Sequence, residues 1–327
     1  MKTIYLLTVW ALLTMSTGTT RAQDPPSPVY ASRIEIRSFA SLTLSDEQFL
    51  KGDPAGPAVQ LSAELRLPAH KPVPRFPAVI LMHGSGGINA SGQAWANLLN
   101  RAGYATFMVD SFSGRGLTQV STDQARLGRF AGVLDAFRAY EELAKHPRID
   151  AQRVAVLGTS RGGTAVIYTA MRRFQSLWSP SFKVMASFAL YPSCFDRLDQ
   201  DEQTSMPIHA FHGGIDDYAS KVQCVAWLER LRAAGQPATN TDYPMAPHGF
   251  DNPLSPITPT VSKGAQSTRL CRISEQAGAL INTEEGRPFS YKDRCVTLGP
   301  SVGHEPKATA LMQQTILDEL HRLTRAP

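Results

Sequence analysis

The chain is poor in cysteine: it has four in 327 residues, and no two stand in a C-x-x-C pair. Zinc ribbons and fingers are built on that spacing, so its lack argues against a structural metal site. No dense run of lysine or arginine occurs. The formal charge of +5 falls to about +3 once residues 1–22 are set aside, because they hold Lys2 and Arg21 and no acidic residue. A surplus this small gives no electrostatic reason to bind nucleic acid. After the first two dozen residues no apolar run reaches the length needed to span a bilayer. Internal repeats and low-complexity tracts are absent as well, and 43% hydrophobic with 19% charged residues is the balance of a globular chain.

The N-terminal stretch reads as an export signal. Lys2 supplies the positive end, Ile4 to Met15 is mostly apolar, and the small and polar residues from Ser16 to Ala22 lead to a cleavage site after Ala22. The mature chain, 23–327, is then expected in the periplasm or outside the cell, with no stable membrane insertion. In that setting an even number of cysteines implies disulfides. Four cysteines allow three pairings. Cys271–Cys295 and Cys194–Cys224 are expected, the first because it would fasten one long irregular stretch. The second links the end of one strand to the helix after the neighbouring strand.

Hydrophobic periodicity gives an α/β chain. Arg33 to Ala40 and Val59 to Leu67 alternate as strands, and the run Ala78-Val79-Ile80-Leu81-Met82 suits a strand buried on both faces. From there helices and strands alternate. Helices are predicted over Ala94–Ala102, Thr122–Ala144, from about Gly162, over Lys221–Ala234 and over Ala308–Leu323. Strands are predicted over Tyr104–Val109, Val154–Leu157, Val184–Tyr191, Ile208–Phe211 and Thr239–Tyr243. The alternation implies a mostly parallel central sheet covered by helices on both faces, in a single domain. Residues 251–304 break the pattern and read as an excursion from that domain.

Two glycine-rich segments follow apolar strands. Gly158-Thr159-Ser160-Arg161-Gly162 has the G-x-S-x-G spacing that turns a strand into a helix and lifts a serine hydroxyl above the sheet edge. His83-Gly84-Ser85-Gly86-Gly87 follows Met82 and can turn backbone N–H groups toward the same place. Ser85 N–H and Arg161 N–H are the expected donors to an oxyanion. A serine needs a base, and in this arrangement the chain order is serine, acid, histidine. Asp216, in His212-Gly213-Gly214-Ile215-Asp216-Asp217, is the expected acid, with Asp217 the alternative. His248, in Pro247-His248-Gly249-Phe250-Asp251, is the expected base, with His304 its rival.

These segments, with Asp110-Ser111-Phe112-Ser113-Gly114-Arg115-Gly116, resemble the dienelactone hydrolase family of α/β-hydrolases from about Phe76 to the last helix. The resemblance implies an α/β-hydrolase fold with no large cap domain and a Ser/Cys-His-Asp triad. Dienelactone-opening enzymes usually carry cysteine in the elbow and a glutamate after the first-loop histidine, where this chain has Ser160 and Gly84. The expectation is therefore an exported serine esterase acting on a small-molecule ester or lactone, without cofactor or metal, its oligomeric state open. Arg115, on a loop at the C-terminal edge of a strand, is expected to grip a substrate carboxylate, with a structural pairing to a loop carbonyl or to Asp110 as the alternative. A peptidase or acyltransferase on the same residues, and a catalytically silent binding protein, are the alternatives.

Overall fold

The computed structural model describes residues 33–69 and 73–325. The expected signal peptide, the Pro-rich segment after it and His70 lie outside the described residues. Among the described residues, no helix is long and apolar enough to cross a membrane.

Eight strands form one sheet: β1 (Arg33–Leu42), β2 (Ala58–Leu67), β3 (Phe76–Met82), β4 (Ala105–Asp110), β5 (Ile149–Thr159), β6 (Ser187–Leu190), β7 (Ile208–Gly213) and β8 (Ala238–Tyr243). Their order is β1-β2-β4-β3-β5-β6-β7-β8. β1, β2 and β4 pair antiparallel, and every pair from β4 through β8 is parallel. The apolar runs explain the middle of this sheet. In β3, Ala78, Ile80 and Met82 enter one core while Val79 and Leu81 enter the other, and β5 divides the same way. A strand buried on both faces has no need of polar alternation.

Helices α1 (Asp46–Lys51), α2 (Ala90–Arg101), α3 (Ala131–Leu143), α4 (Arg161–Tyr168), α5 (Arg172–Trp178), α6 (Lys221–Ala233) and α7 (Pro306–Arg325) cover it. Helices α2 and α7 press Trp95, Leu99, Met312, Ile316 and Leu320 into one core. The larger core on the other face takes Phe137 of α3, Val166 of α4, Phe174 and Trp178 of α5, and Trp227 of α6. Phe49, from α1, stacks on Phe130 and Trp178 at 5.0 and 5.5 Å. Sheet, helices and topology are those of the α/β-hydrolase fold.

Three expectations change. The helix predicted over Thr122–Ala144 begins only at Ala131, after a single 3₁₀ turn at Gln124–Arg126. Residues 122–130 are drawn out of a helix by tertiary partners: Gln124 N–H donates to Gln266, Leu127 and Gly128 carbonyls accept from Arg161, and Phe130 N–H donates to Asp46. Helix α1 was not predicted, although Ser45 and Gln48 form a capping box and Gly52 closes it at φ 70°. Helix α5 was also missed.

The stretch 251–304 departs from the sheet as expected but is ordered by short strands. Thr260–Val261 pairs with Ser301–Val302, Gln266–Ser267 with Thr297–Leu298, and Ile273–Gln276, Ala279–Asn282 and Arg287–Pro288 form a three-stranded sheet. Cys271 is bonded to Cys295 inside it, and Cys194 to Cys224 beside it. Glu275, fully buried at its side chain, receives both Nη atoms of Arg173 at 2.7 and 2.8 Å, which ties the excursion to α5.

Candidate active site

Ser160 sits where β5 turns into α4, at φ 53° and ψ −115°, a backbone conformation rare for a residue with a side chain. The flanking glycines permit it. A Cβ on Gly158 would lie 2.2 Å from the Gly162 carbonyl oxygen, and one on Gly162 would lie 2.2 Å from the Met82 carbonyl oxygen. The turn is thus closed to any other residue at both positions, and the serine is held at the N-terminus of α4.

Ser160 Oγ lies 2.9 Å from Nε2 of His248, and Nδ1 of His248 lies 2.7 Å from Oδ2 of Asp216. A carboxylate accepts, so Nδ1 carries the proton and Nε2 is left bare to accept from the serine hydroxyl. Oδ1 of Asp216 accepts the Tyr218 and Ala219 N–H groups at 2.8 and 2.9 Å. Both oxygens of this carboxylate are therefore engaged. Its side chain is 2% exposed, and that of His248 is 5% exposed. The imidazole packs against two rings, Tyr191 with centroid at 4.7 Å and Tyr218 at 4.6 Å. Tyr191 is itself fixed by Asp251, whose buried carboxylate also accepts Ser91 Oγ and the Trp95 indole N–H.

The two alternatives are occupied elsewhere. Asp217 accepts the Ser301 N–H at 2.7 Å and so fastens the end of the excursion. His304 bonds the Phe250 carbonyl at 2.7 Å, near the start of α7.

The loop after β3 passes close to Ser160. A Cβ on Gly84 would meet the Ser160 Cβ at 3.2 Å, so the glycine lets the backbone approach the serine closely and a side chain there would press on it. His83 steadies this loop. Its Nε2 accepts the Ser111 N–H at 3.2 Å, which leaves Nδ1 to donate to the Gly84 carbonyl at 2.8 Å. Burial lowers the His83 pKa, consistent with this neutral form. The Ser85 carbonyl accepts from Val120 N–H, while the Ser85 N–H has no acceptor among the described residues. The Arg161 N–H precedes the first intrahelical bond of α4, from Thr164 N–H to the Ser160 carbonyl. Ser85 and Arg161, whose N–H groups are singled out from the sequence, line the same cleft as Ser160.

Arg115 requires a correction. Its guanidinium is 3% exposed and grips Asp135 with both Nη atoms, at 2.7 and 2.9 Å. Its remaining donors reach the Ser111 and Leu42 carbonyls and Thr43 Oγ1. Every N–H faces protein, so none is left for a substrate carboxylate. The sequence could not reveal this, because Asp135 lies twenty residues away in the middle of α3.

Two clefts open on Ser160. One is walled by Gln124, Arg129, Tyr218, Gln266, Thr268 and Tyr291. The other is walled by Asn89, Ser121, Asn252, Ser255, Ser262 and Val302 among others. Sequence reasoning missed these walls. Most of them come from the excursion and from residues 121–129, neither of which carries a motif. Asp251, by contrast, closes the quoted His248 segment, and Tyr218 directly follows the quoted Asp216 segment.

Residues 63–277, about two thirds of the chain, match the model of the dienelactone hydrolase family. The chain belongs to that family. It is a hydrolytic enzyme acting on esters. Among solved structures it is similar to a dienelactone hydrolase-like promiscuous phosphotriesterase from metagenomic libraries, at 13% identity and a TM-score of 0.56 over 89% of this chain and 98% of that one. It is likewise similar to a protein called m3DLH, at 17% identity and a TM-score of 0.58 over the same shares of each chain. At these identities the likeness concerns the fold.

Proposed function

We propose that this family member is an exported serine esterase that cleaves a carboxylic ester or lactone of a small molecule through an acyl-enzyme. Ser160 Oγ bonds to the acyl carbon while His248 Nε2 takes its proton. The tetrahedral oxyanion accepts from Ser85 and Arg161 N–H, the C–O bond breaks, and the proton passes from His248 to the leaving alkoxide. Water then attacks the acyl-enzyme with His248 as base, and the acid leaves as Ser160 regains its proton. Asp216 keeps the proton on Nδ1 and stabilises the imidazolium that forms. The route uses no cofactor.

The observation that carries this reading is the hydrogen-bonded series Ser160–His248–Asp216 with the serine at a strained strand-to-helix turn. Export is supported by the two disulfides, which persist in oxidising compartments, and by the signal-like residues 1–22. A fluorophosphonate should label the wild type and not Ser160→Ala, and a panel of esters, amides and acceptor alcohols should show esters turned over fastest. Labelling that persists in folded Ser160→Ala refutes the assignment. Sequencing the exported protein from its N-terminus should find residue 23 first.

A further inference from the structure

The two clefts that open on Ser160 have four lining residues in common: Ser85, Ser160, Tyr218 and His248. Three of them already have a part in the proposed mechanism, as oxyanion donor, nucleophile and base. Tyr218 is the fourth, and it stands where the two clefts meet at the nucleophile.

Every other part of Tyr218 is engaged. Its N–H donates to Asp216 Oδ1 at 2.8 Å, and its carbonyl accepts from Ser267 Oγ at 2.7 Å. Its ring packs on the His248 imidazole with centroids 4.6 Å apart. Only the hydroxyl is left over: it is buried and has no hydrogen-bond partner among the described residues. Leaving a buried donor without an acceptor is costly, so such a group in a native fold calls for a ligand or a catalytic part. Burial pushes the Tyr218 phenol up to about 12. At neutral pH it therefore keeps its proton and can act only as a neutral group.

The chemistry of the centre supplies an acceptor. Ester cleavage puts negative charge on two oxygens in turn. The former carbonyl oxygen has the Ser85 and Arg161 N–H groups. The ester oxygen, which departs as an alkoxide, has only the proton on His248 Nε2, and Tyr218 lies against that same imidazole.

We infer that Tyr218 is a further catalytic residue, whose hydroxyl donates a hydrogen bond to the ester oxygen as its bond to the acyl carbon breaks. The proton that the alcohol carries away comes from His248 Nε2, and Tyr218 keeps its own. The inference rests on the esterase reading and extends its substrate class to esters of ordinary alkyl alcohols, whose alkoxides are poor leaving groups.

The test is Tyr218→Phe, which keeps the ring on His248 and deletes the hydroxyl. Acetates of different alcohols are compared by kcat/KM, which covers the steps through acylation, so their common acetyl-enzyme hides nothing. A 4-nitrophenolate leaves unaided, and an ethoxide does not. The variant should lose about tenfold or more on ethyl acetate and about twofold or less on 4-nitrophenyl acetate, with 2,2,2-trifluoroethyl acetate between. Fluorophosphonate labelling should keep its wild-type rate, since Ser160, His248 and Asp216 are untouched. Equal losses on all the acetates, no loss on ethyl acetate, or labelling slowed in step with turnover each overturn the inference. Where circular dichroism shows that Tyr218→Phe does not fold, the wild type decides through alkyl acetates of rising alcohol pKa. A shallow decline in kcat/KM supports a well-served leaving oxygen, and a steep one overturns the inference. A wild type that cleaves none of the acetates overturns the esterase reading and this role with it. An active wild type with an unselective variant overturns this role alone.

Discussion

Removing Arg115 should damage the fold far more than it alters substrate choice. The Arg115–Asp135 pair is desolvated at both ends, 3% and 0% exposed, and bidentate. Arg115→Met keeps most of the stem packing and deletes the charge. Among the described residues, Asp135 would then keep only Ser41 Oγ, at 2.7 Å, as a side-chain donor. Breaking one side of such a pair costs about 3–5 kcal/mol. At roughly 2.1 cal/mol/K of unfolding entropy per residue, a fold near this size loses about 5–8 °C in Tm for that penalty. Differential scanning calorimetry and urea titration measure the loss. Adding Asp135→Leu should return a large part of it, because the stranded charge is gone. The kinetic expectation follows from the same contacts: Arg115 holds the loop whose Ser111 N–H steadies His83, so kcat falls for acidic and neutral esters alike. An Arg115→Met enzyme with unchanged Tm and KM raised for acidic esters alone would show that the buried-pair argument is wrong.

Asp216→Asn should fold and lose on the order of 10⁴ in kcat, because the amide favours the wrong imidazole tautomer, whereas Asp217→Asn should keep most activity and lose a little stability at the Ser301 contact. Steady-state kinetics with circular dichroism on both variants checks this, and a dead Asp217→Asn moves the acid by one position. Replacing both Cys271 and Cys295 by serine should cost about 3.5 kcal/mol in the chain-entropy model for a sequence separation of 24, with activity failing on heating before the sheet melts, since Tyr291 lies inside that loop. Burial lowers the pKa of His212 as of His83, so folding favours their neutral forms. Stability from this source is present above the unfolded value of about 6.5 and lost as pH falls below it. Urea midpoints between pH 8 and 5 should decline on the acid side, less steeply in His212→Gln.

Much of the sheet was legible because β3 and β5 announce themselves by composition: a short unbroken apolar run has few other uses. The Ser160, Asp216 and His248 positions were legible for a related reason. Each follows a strand end; glycines two residues on either side of Ser160, and Gly213 and Gly214 before Asp216, mark turns that admit no side chain, while Gly249 after His248 takes φ 70°. The 122–130 segment was not legible, since its helical periodicity is real and is defeated only by Arg161, Gln266 and Asp46, contacts distant in sequence. Capping helix α1 was visible in Ser45 and Gln48, but a six-residue helix carries too little periodicity to stand out.

Three arginines stand near the site in the structure, and residue type alone does not rank them. What separates them is the group that takes up each charge. Arg115 meets a carboxylate at both Nη atoms and becomes part of the frame. Arg161 spends its guanidinium on backbone carbonyls, which hold residues 127–128 in place and leave the charge unneutralised while the backbone N–H remains beside Ser160. Arg129 meets the aromatic faces of Phe195, Phe289 and Tyr291, which attract a cation but do not cancel it. Two of these three rings, and the Thr268 hydroxyl that Arg129 reaches, come from the disulfide-fastened excursion. A segment that contributes nothing to the eight-stranded sheet thus supplies Gln266, Thr268 and Tyr291 to the wall of the cleft beside Ser160, held in place by the Cys271–Cys295 bond.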